Sequence, residues 1–197
     1  RETLAQLEAE VVAAEAWLGG TWSGIAVHGQ TDLILGLPGD RLLVVDYKRS
    51  KSTGRLKQMQ KGFDSQASLY RAMIASGGPK DLDKRALAVR LRKAADTGVV
   101  YYLMNDQVAL SDTLLPGAAA VPGWRVVDGD VAGQVLDRIG ARIAEIRAGQ
   151  LKLNRAGDRD FFEKQAGLTP YALDNSPLIG LFAVPDQDAD NEEAEES

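Results

Sequence analysis

The sequence predicts an α/β protein with one main domain, a mixed central sheet flanked by helices. Three observations lead there. Short segments rich in β-branched residues alternate with longer segments of helical period. Their order is helix, three strands, helix, strand, then further helices toward the C-terminus. A chain of 197 residues, 45% of them hydrophobic, suffices for one well-buried domain and a tail.

Leu4, Leu7, Val11, Ala14 and Leu18 recur at three- and four-residue spacing, predicting an amphipathic first helix that ends at Gly19-Gly20. Trp22 to Val27, Thr31 to Leu37 and Arg41 to Lys48 read as strands, the last two joined by a turn at Leu37-Pro38-Gly39-Asp40. A second helix fits Lys57 to Ala75, with Met59, Phe63, Gln66, Tyr70, Met73 and Ile74 along one face, and Gly77-Gly78-Pro79 ends it. Gly98 to Met104 suits a strand. Asp112 to Gly123 reads as a loop, with two prolines and an alanine run. Val131, Val135, Ile139, Ile143 and Ile146 make the stripe of a third helix from Val131 to Ala148. Thr169-Pro170 resembles a helix start, with an N-cap threonine and proline at the first helical position.

Composition excludes whole classes of chemistry. With no cysteine there is no disulfide, thiolate nucleophile or cysteine-held zinc or iron–sulfur centre, and a single histidine, His28, rules out an all-histidine zinc site. Any metal must be held mainly by oxygen, which favours a hard divalent ion. Neither a long apolar run nor a secretory leader is present, so a soluble, cytoplasmic protein without a membrane partner is expected. The chain opens at Arg1, as expected of a piece of a longer polypeptide. Of its 28 carboxylates, seven fall in Asp186 to Ser197, which has no basic side chain, leaving 21 against 23 basic groups in residues 1 to 185. The net charge of −5 thus splits into a domain over 1–185 of about +2 and an acidic, disordered tail over 186–197, most simply a solubilising terminus.

The segment from Gly29 to Arg55 is the informative one. A hairpin with a three-residue loop at Pro38, Gly39 and Asp40 places residue 37 opposite 41, and counting back brings Asp32 opposite Asp46. Opposed like charges destabilise a strand pair. Alternation puts Lys48 on the same face as Asp46. Two carboxylates beside one ammonium call for a cation or a shifted pKa. A divalent ion between Asp32 and Asp46 would polarise a phosphate oxygen and activate water, while Lys48 stabilised the growing charge. The plain alternative is a surface hairpin whose Asp46 and Lys48 form a weak, exposed ion pair.

These residues resemble the PD-(D/E)XK nucleases, and within them the RecB-like exonuclease branch. The resemblance lies in Gly29-Gln30-Thr31-Asp32, in Val44-Val45-Asp46-Tyr47-Lys48, and in Gly62-Phe63-Asp64-Ser65-Gln66-Ala67-Ser68-Leu69-Tyr70. They look like the family's GxxD strand, its (D/E)xK strand and the QxxxY signature on the next helix. The resemblance implies a restriction-endonuclease-like core, of order αβββαβ plus C-terminal helices. It implies Asp32 and Asp46 as ligands of Mg²⁺ or Mn²⁺ with the Tyr47 carbonyl as a third, Lys48 as catalytic lysine, and Gln66 and Tyr70 bordering the site. Many relatives add a His or Glu from an upstream helix, for which Glu8, Glu10 and Glu15 are candidates. Several close the domain with an iron–sulfur staple, which this chain lacks, so a C-terminal segment such as Leu168 to Leu181 would dock by packing alone.

The spacing of Gln66 and Tyr70 puts both on the helical face of Phe63. Tyr70 alone fits a core tyrosine with its hydroxyl at the rim equally well. His28 is expected on the Asp32 face, about 13 Å along the strand, as a structural or substrate-proximal residue. Arg49, Lys51, Arg55, Lys57 and Lys61 follow Lys48 with no acid before Phe63. Such a run is often a solvated loop, but beside a phosphate-cleaving centre it suits sequence-independent contact with a nucleic-acid backbone. Lys80, Lys84, Arg85, Arg90, Arg92 and Lys93 are a candidate extension. The expected function is a metal-dependent DNA nuclease, an exonuclease module of a helicase–nuclease repair protein with DNA and further domains or subunits as partners. A catalytically silent fold that binds DNA or a protein is the first alternative. A glycoside-cleaving carboxylate pair is a remote second, having no use for Lys48.

Overall fold

A computed structural model describes residues 2–80, 85–118, 121–127, 131–150 and 160–168. The Thr169-Pro170 helix start, the docking segment beyond Leu168, Lys84 and the acidic tail lie outside them. The chain forms two compact units, Arg1–Arg138 and Ile139–Ser197. The first holds the short helix α1 (Glu2–Gln6), strands β1 (Glu10–Trp22), β2 (Ile25–Leu37) and β3 (Arg41–Lys48), helices α2 (Ser52–Gln60) and α3 (Gln66–Ser76), the two-residue strand β4 (Gly78–Pro79), α4 (Arg85–Arg92), and strands β5 (Asp96–Leu103), β6 (Val108–Ser111) and β7 (Trp124–Val126). Helix α5 (Val131–Arg147) follows in sequence, and the second unit contains a π-helical turn over Phe161–Ala166.

The sheet has seven strands in the order β4-β1-β2-β3-β5-β6-β7. Pairs β3/β5 and β6/β7 are parallel, the others antiparallel. This is the mixed sheet flanked by helices that the sequence predicts. The β2–β3 register also follows the expected count, with Leu37 opposite Arg41, Gly36 opposite Leu42 and Leu33 opposite Val45.

Two elements differ from their sequence patterns. The stripe Leu4 to Leu18 is not one helix. Only Glu2–Gln6 is helical, and Glu10–Trp22 is a strand. Of the residues that suggested a helix, Val11 is 57% exposed, whereas Ala16 and Leu18, which alternate at strand period around the exposed Trp17, are buried. Ser23 (φ 48°) and Gly24 (φ 74°) form a two-residue turn that pairs Trp22 with Ile25, so β1 folds back on β2 along its whole length. The expected strands at 22–27 and 31–37 accordingly become the end of β1 and one continuous β2. The second helix is broken too. Gly62 (φ 70°) lies past the end of α2, its N–H reaching the Met59 carbonyl, and α3 starts four residues later.

Leu42, Val44, Val99, Tyr101 and Leu110 pack on one face of the sheet against Tyr70, Met73 and Ile74 of α3 and Leu87 and Leu91 of α4. On the other face Leu35, Leu43, Val45 and Val100 pack with Leu7, Leu115, Ala118 and Val121. Each fully buried leucine contributes roughly 1.5–3 kcal/mol. Arg71 fastens α3 to the sheet through the Thr97 carbonyl (2.7 Å), Thr113 Oγ1 (2.9 Å) and the carboxylate of Asp112. With α3 fixed in this way, its first turn stands over the carboxyl end of β3.

Candidate active site

β3 is buried from Leu42 through Asp46 between two hydrogen-bonded neighbours, as suits its aliphatic run, and Asp46, Tyr47 and Lys48 close its carboxyl end. Asp46, 3% exposed, faces α3 with Leu42 and Val44. Lys48, two residues on, places Nζ 2.8 Å from Asp46 Oδ1. The hairpin count carries Asp32 to the level of Asp46, and Asp32 Oδ2 accepts the Tyr47 backbone N–H at 2.7 Å. Along β1/β2, Ala14 pairs with Leu33 and Ala16 with Thr31, while Glu15 and Asp32 between them are left out and Glu15 adopts φ 47°. An irregularity of this kind re-aims side chains beside an active site.

It also moves His28. A Cβ on Gly29 would lie 3.4 Å from Met73 Cε, so Gly29 faces α3. His28 therefore points to the opposite face, where its ring lies 6.4 Å from that of Trp17. The strict alternation that placed His28 with Asp32 fails at the irregularity.

α3 supplies the rest. Gln66 Nε2 donates to Tyr70 Oη (2.9 Å), and Tyr70 Oη is 2.9 Å from the Gln30 carbonyl and 3.4 Å from Asp46 Oδ2. Burial, then the Asp46 charge, pushes the Tyr70 hydroxyl up to about 12, so it stays protonated and can donate to one of these acceptors at a time. Phe63 precedes α3, so of Phe63, Gln66 and Tyr70 only the last two lie on that helix. Burial raises the Asp46 carboxyl above its ordinary value, the Lys48 hydrogen bond and charge oppose the rise, and Asp32 adds to it. Asp46 is thus under-compensated as a bare anion.

Two further side chains join the site, and neither stood out in the sequence. Asp64, buried, accepts from Tyr101 Oη (2.8 Å), Arg55 NH1 (2.9 Å) and the Gln66 N–H (3.2 Å). Tyr101, fully buried, is the rung partner of Asp46 on β5. The one available signal was Asp64 itself, the first acid after a run of cations. Nearby, Asp106 Oδ2 accepts from the N–H (2.9 Å) and Oγ (2.6 Å) of Ser52, closing the start of α2 from the β5–β6 turn.

The basic run divides. Arg49, Lys51 and Lys61 are exposed and Lys57 is half-buried, whereas Arg55 is tied to Asp64. Of the second cluster, Arg90 pairs with Glu10, and both Arg90 and Lys93 lie beside Arg41 at the opposite end of β3 from Lys48, about 23 Å along the strand. These two do not extend the surface next to Lys48. As for the upstream acids, Glu10 is engaged by Arg90, Glu8 lies in the turn after α1, and Glu15 is level with Asp32. Among the described residues, no three acidic or histidine side chains converge as a metal cluster.

The donors nonetheless suit a hard cation. Asp32 and Asp46 present carboxylate oxygens close enough for one charge to act on the other, and Asp46, desolvated and repelled by Asp32, would gain from a positive partner. The mixed sheet flanked by helices is consistent with the restriction-endonuclease-like fold of the PD-(D/E)XK nucleases. The chain matches the PD-(D/E)XK nuclease superfamily over residues 1–158, most of its length, and belongs to that superfamily, whose members typically use divalent metal ions. No curated protein and no solved structure matches it.

Proposed function

We propose that this domain hydrolyses DNA phosphodiester bonds with Mg²⁺ or Mn²⁺, as a RecB-like exonuclease module of a cytoplasmic helicase–nuclease in repair or recombination. The observation that carries the reading is the Asp46–Lys48 pair level with Asp32, a buried carboxylate with one cation too few. Asp32, Asp46 and the Tyr47 carbonyl would hold the ion. When bound, a divalent ion supplies Lewis acidity toward the phosphate and the attacking water. Lys48 stabilises the charge that grows on the phosphate oxygens. Tyr70, kept protonated, holds the Gln30 carbonyl or Asp46, and Gln66 orients it. Arg49, Lys51, Lys57 and Lys61 contact backbone phosphates without reading bases. Arg55, taken up by Asp64, contacts phosphate from a more fixed position.

A catalytically silent, DNA-binding domain is the second reading, favoured by the lack of a third converging acid among the described residues. Incubation with linear and circular DNA, single- and double-stranded, with Mg²⁺ or Mn²⁺ separates the two. Loss of linear DNA from its ends with circles spared is the expected outcome. Cutting of circles would replace the exonuclease with an endonuclease, and binding without cleavage would leave the silent domain.

A further inference from the structure

Asp64 is a carboxylate with only 3% of its side chain exposed, which is costly unless it is paired and hydrogen-bonded. Its three partners all lead to the reaction centre. The Gln66 N–H opens the helix that carries Tyr70. Tyr101 lies beside Asp46 on the neighbouring strand. Arg55 lies with Cζ 4.8 Å from the centre of the Tyr101 ring, and Lys48 Nζ is 5.9 Å from the centre of the same ring. Two cations therefore share one buried aromatic ring, one bonded to Asp46 and the other to Asp64. Fastening α2 to α3 would need only the Arg55–Asp64 pair. The added bond to Tyr101 fixes the ring on which the guanidinium rests.

We propose that Arg55 is the second cation of the reaction centre, meeting the scissile phosphate beside Lys48, with Asp64 and Tyr101 as its positioning residues. This rests on the nuclease reading. In the hydrolysis, a water oxygen bonds to phosphorus, one P–O ester bond breaks, and water's two hydrogens end as the proton on the departing hydroxyl and the hydroxyl, or its released proton, on the new phosphate end. Arg55 exchanges no proton in this step. Its planar guanidinium, permanently charged and held in orientation before substrate arrives, opposes the negative charge on the phosphate oxygens as it grows. Arg49, Lys51 and Lys61, exposed on the same stretch, meet phosphates away from the bond that breaks.

Steady-state cleavage of linear DNA in Mg²⁺ tests this, using the wild type, Arg55→Gln, Arg55→Lys, Tyr101→Phe and Lys51→Gln, each with a thermal melt. Arg55→Gln is expected to lower kcat about 100-fold with KM within about threefold, the signature of an interaction made in the transition state. Arg55→Lys should recover part of the loss. Tyr101→Phe keeps the ring but not the bond to Asp64, and should lower kcat about tenfold, the worth of one hydrogen bond. Lys51→Gln should raise KM and leave kcat unchanged. A higher KM with unchanged kcat in Arg55→Gln would make Arg55 another backbone contact and overturn the proposal. So would losses in the Lys and Gln variants that are equal and track a fall in Tm, since they would make it a fastening only. If Arg55→Gln does not fold, Arg55→Lys and Tyr101→Phe decide in the same way. A wild type that cleaves no DNA overturns the nuclease reading and this proposal with it, whereas an active wild type with kcat intact in these variants overturns this proposal alone.

Discussion

The two faces of the sheet are made by the same strands and do different work. On β3, Leu43, Val45 and Tyr47 point to one side and Leu42, Val44, Asp46 and Lys48 to the other. The first side opens into a groove of about 530 Å³ whose lining, from Leu4 and Leu7 through Tyr47 and Tyr102 to Trp124, holds no charged residue. The second side begins as apolar core under α3 and ends in two buried carboxylates, a lysine, an arginine and two tyrosine hydroxyls, nearly all bonded to one another. The contrast shows where stability and chemistry come from. Hydrophobic burial along both faces holds the strands in register, and the register delivers Asp32, Asp46 and Lys48 to one end of one face.

Substitutions can pull the two faces apart. The largest effect on folding is expected from Leu43→Ala, fully buried on the groove side. It should cost about 2–5 kcal/mol in denaturant unfolding while each folded molecule keeps its kcat. A parallel fall in kcat would mean that the faces are not separable. Tyr70→Phe, on the site face, removes the hydroxyl that joins Gln66, Gln30 and Asp46. It should cost about 1 kcal/mol, because a part-buried carbonyl and an amide lose their partner, and kcat should drop roughly tenfold. Unchanged kcat would return Tyr70 to the status of a core residue.

The smallest effect concerns Asp106, whose carboxyl is held below the ordinary value of 3.8 chiefly by the Ser52 hydroxyl and then by the Ser52 N–H. A depressed folded-state pKa adds stability above the ordinary value, and that stability is lost as the pH falls through the lower, folded value. Asp106→Asn should therefore melt slightly below wild type at pH 7, and the two melting curves should converge in acid. A gap that persists in acid would show that the carboxylate charge is not what closes the start of α2.

How far the sequence reaches can be judged on particular residues. The β2–β3 register was legible because a short turn and strand alternation are local rules, and Leu37–Arg41 pairing sets the rungs back to Leu33–Val45. The α/β class and α5 were legible from their periods, and α5 indeed runs over Val131–Arg147. β1 was not, because Leu4, Leu7, Val11, Ala14 and Leu18 have helical spacing by accident, and only pairing with β2 across the Ser23-Gly24 turn shows which of them are buried. α4 and β6 were missed for a related reason: each is short, and their burial, of Leu87 and Leu91 or of Val108 to Ser111, depends on distant partners. Asp64 and Tyr101 could not be joined from sequence, since 37 residues and a parallel crossover separate them.

In the proposed function, Asp46 and Lys48, with Asp32, form a metal-dependent phosphodiesterase centre. Cleavage of end-labelled linear DNA by the wild type, Asp46→Ala and Lys48→Ala, each with Mg²⁺ or with EDTA and each shown to be folded, tests it most directly. Cleavage by the wild type in Mg²⁺ alone, with a loss of at least about 1,000-fold in both variants, is the result expected. Cleavage that survives EDTA, or that persists undiminished in both variants, would contradict it.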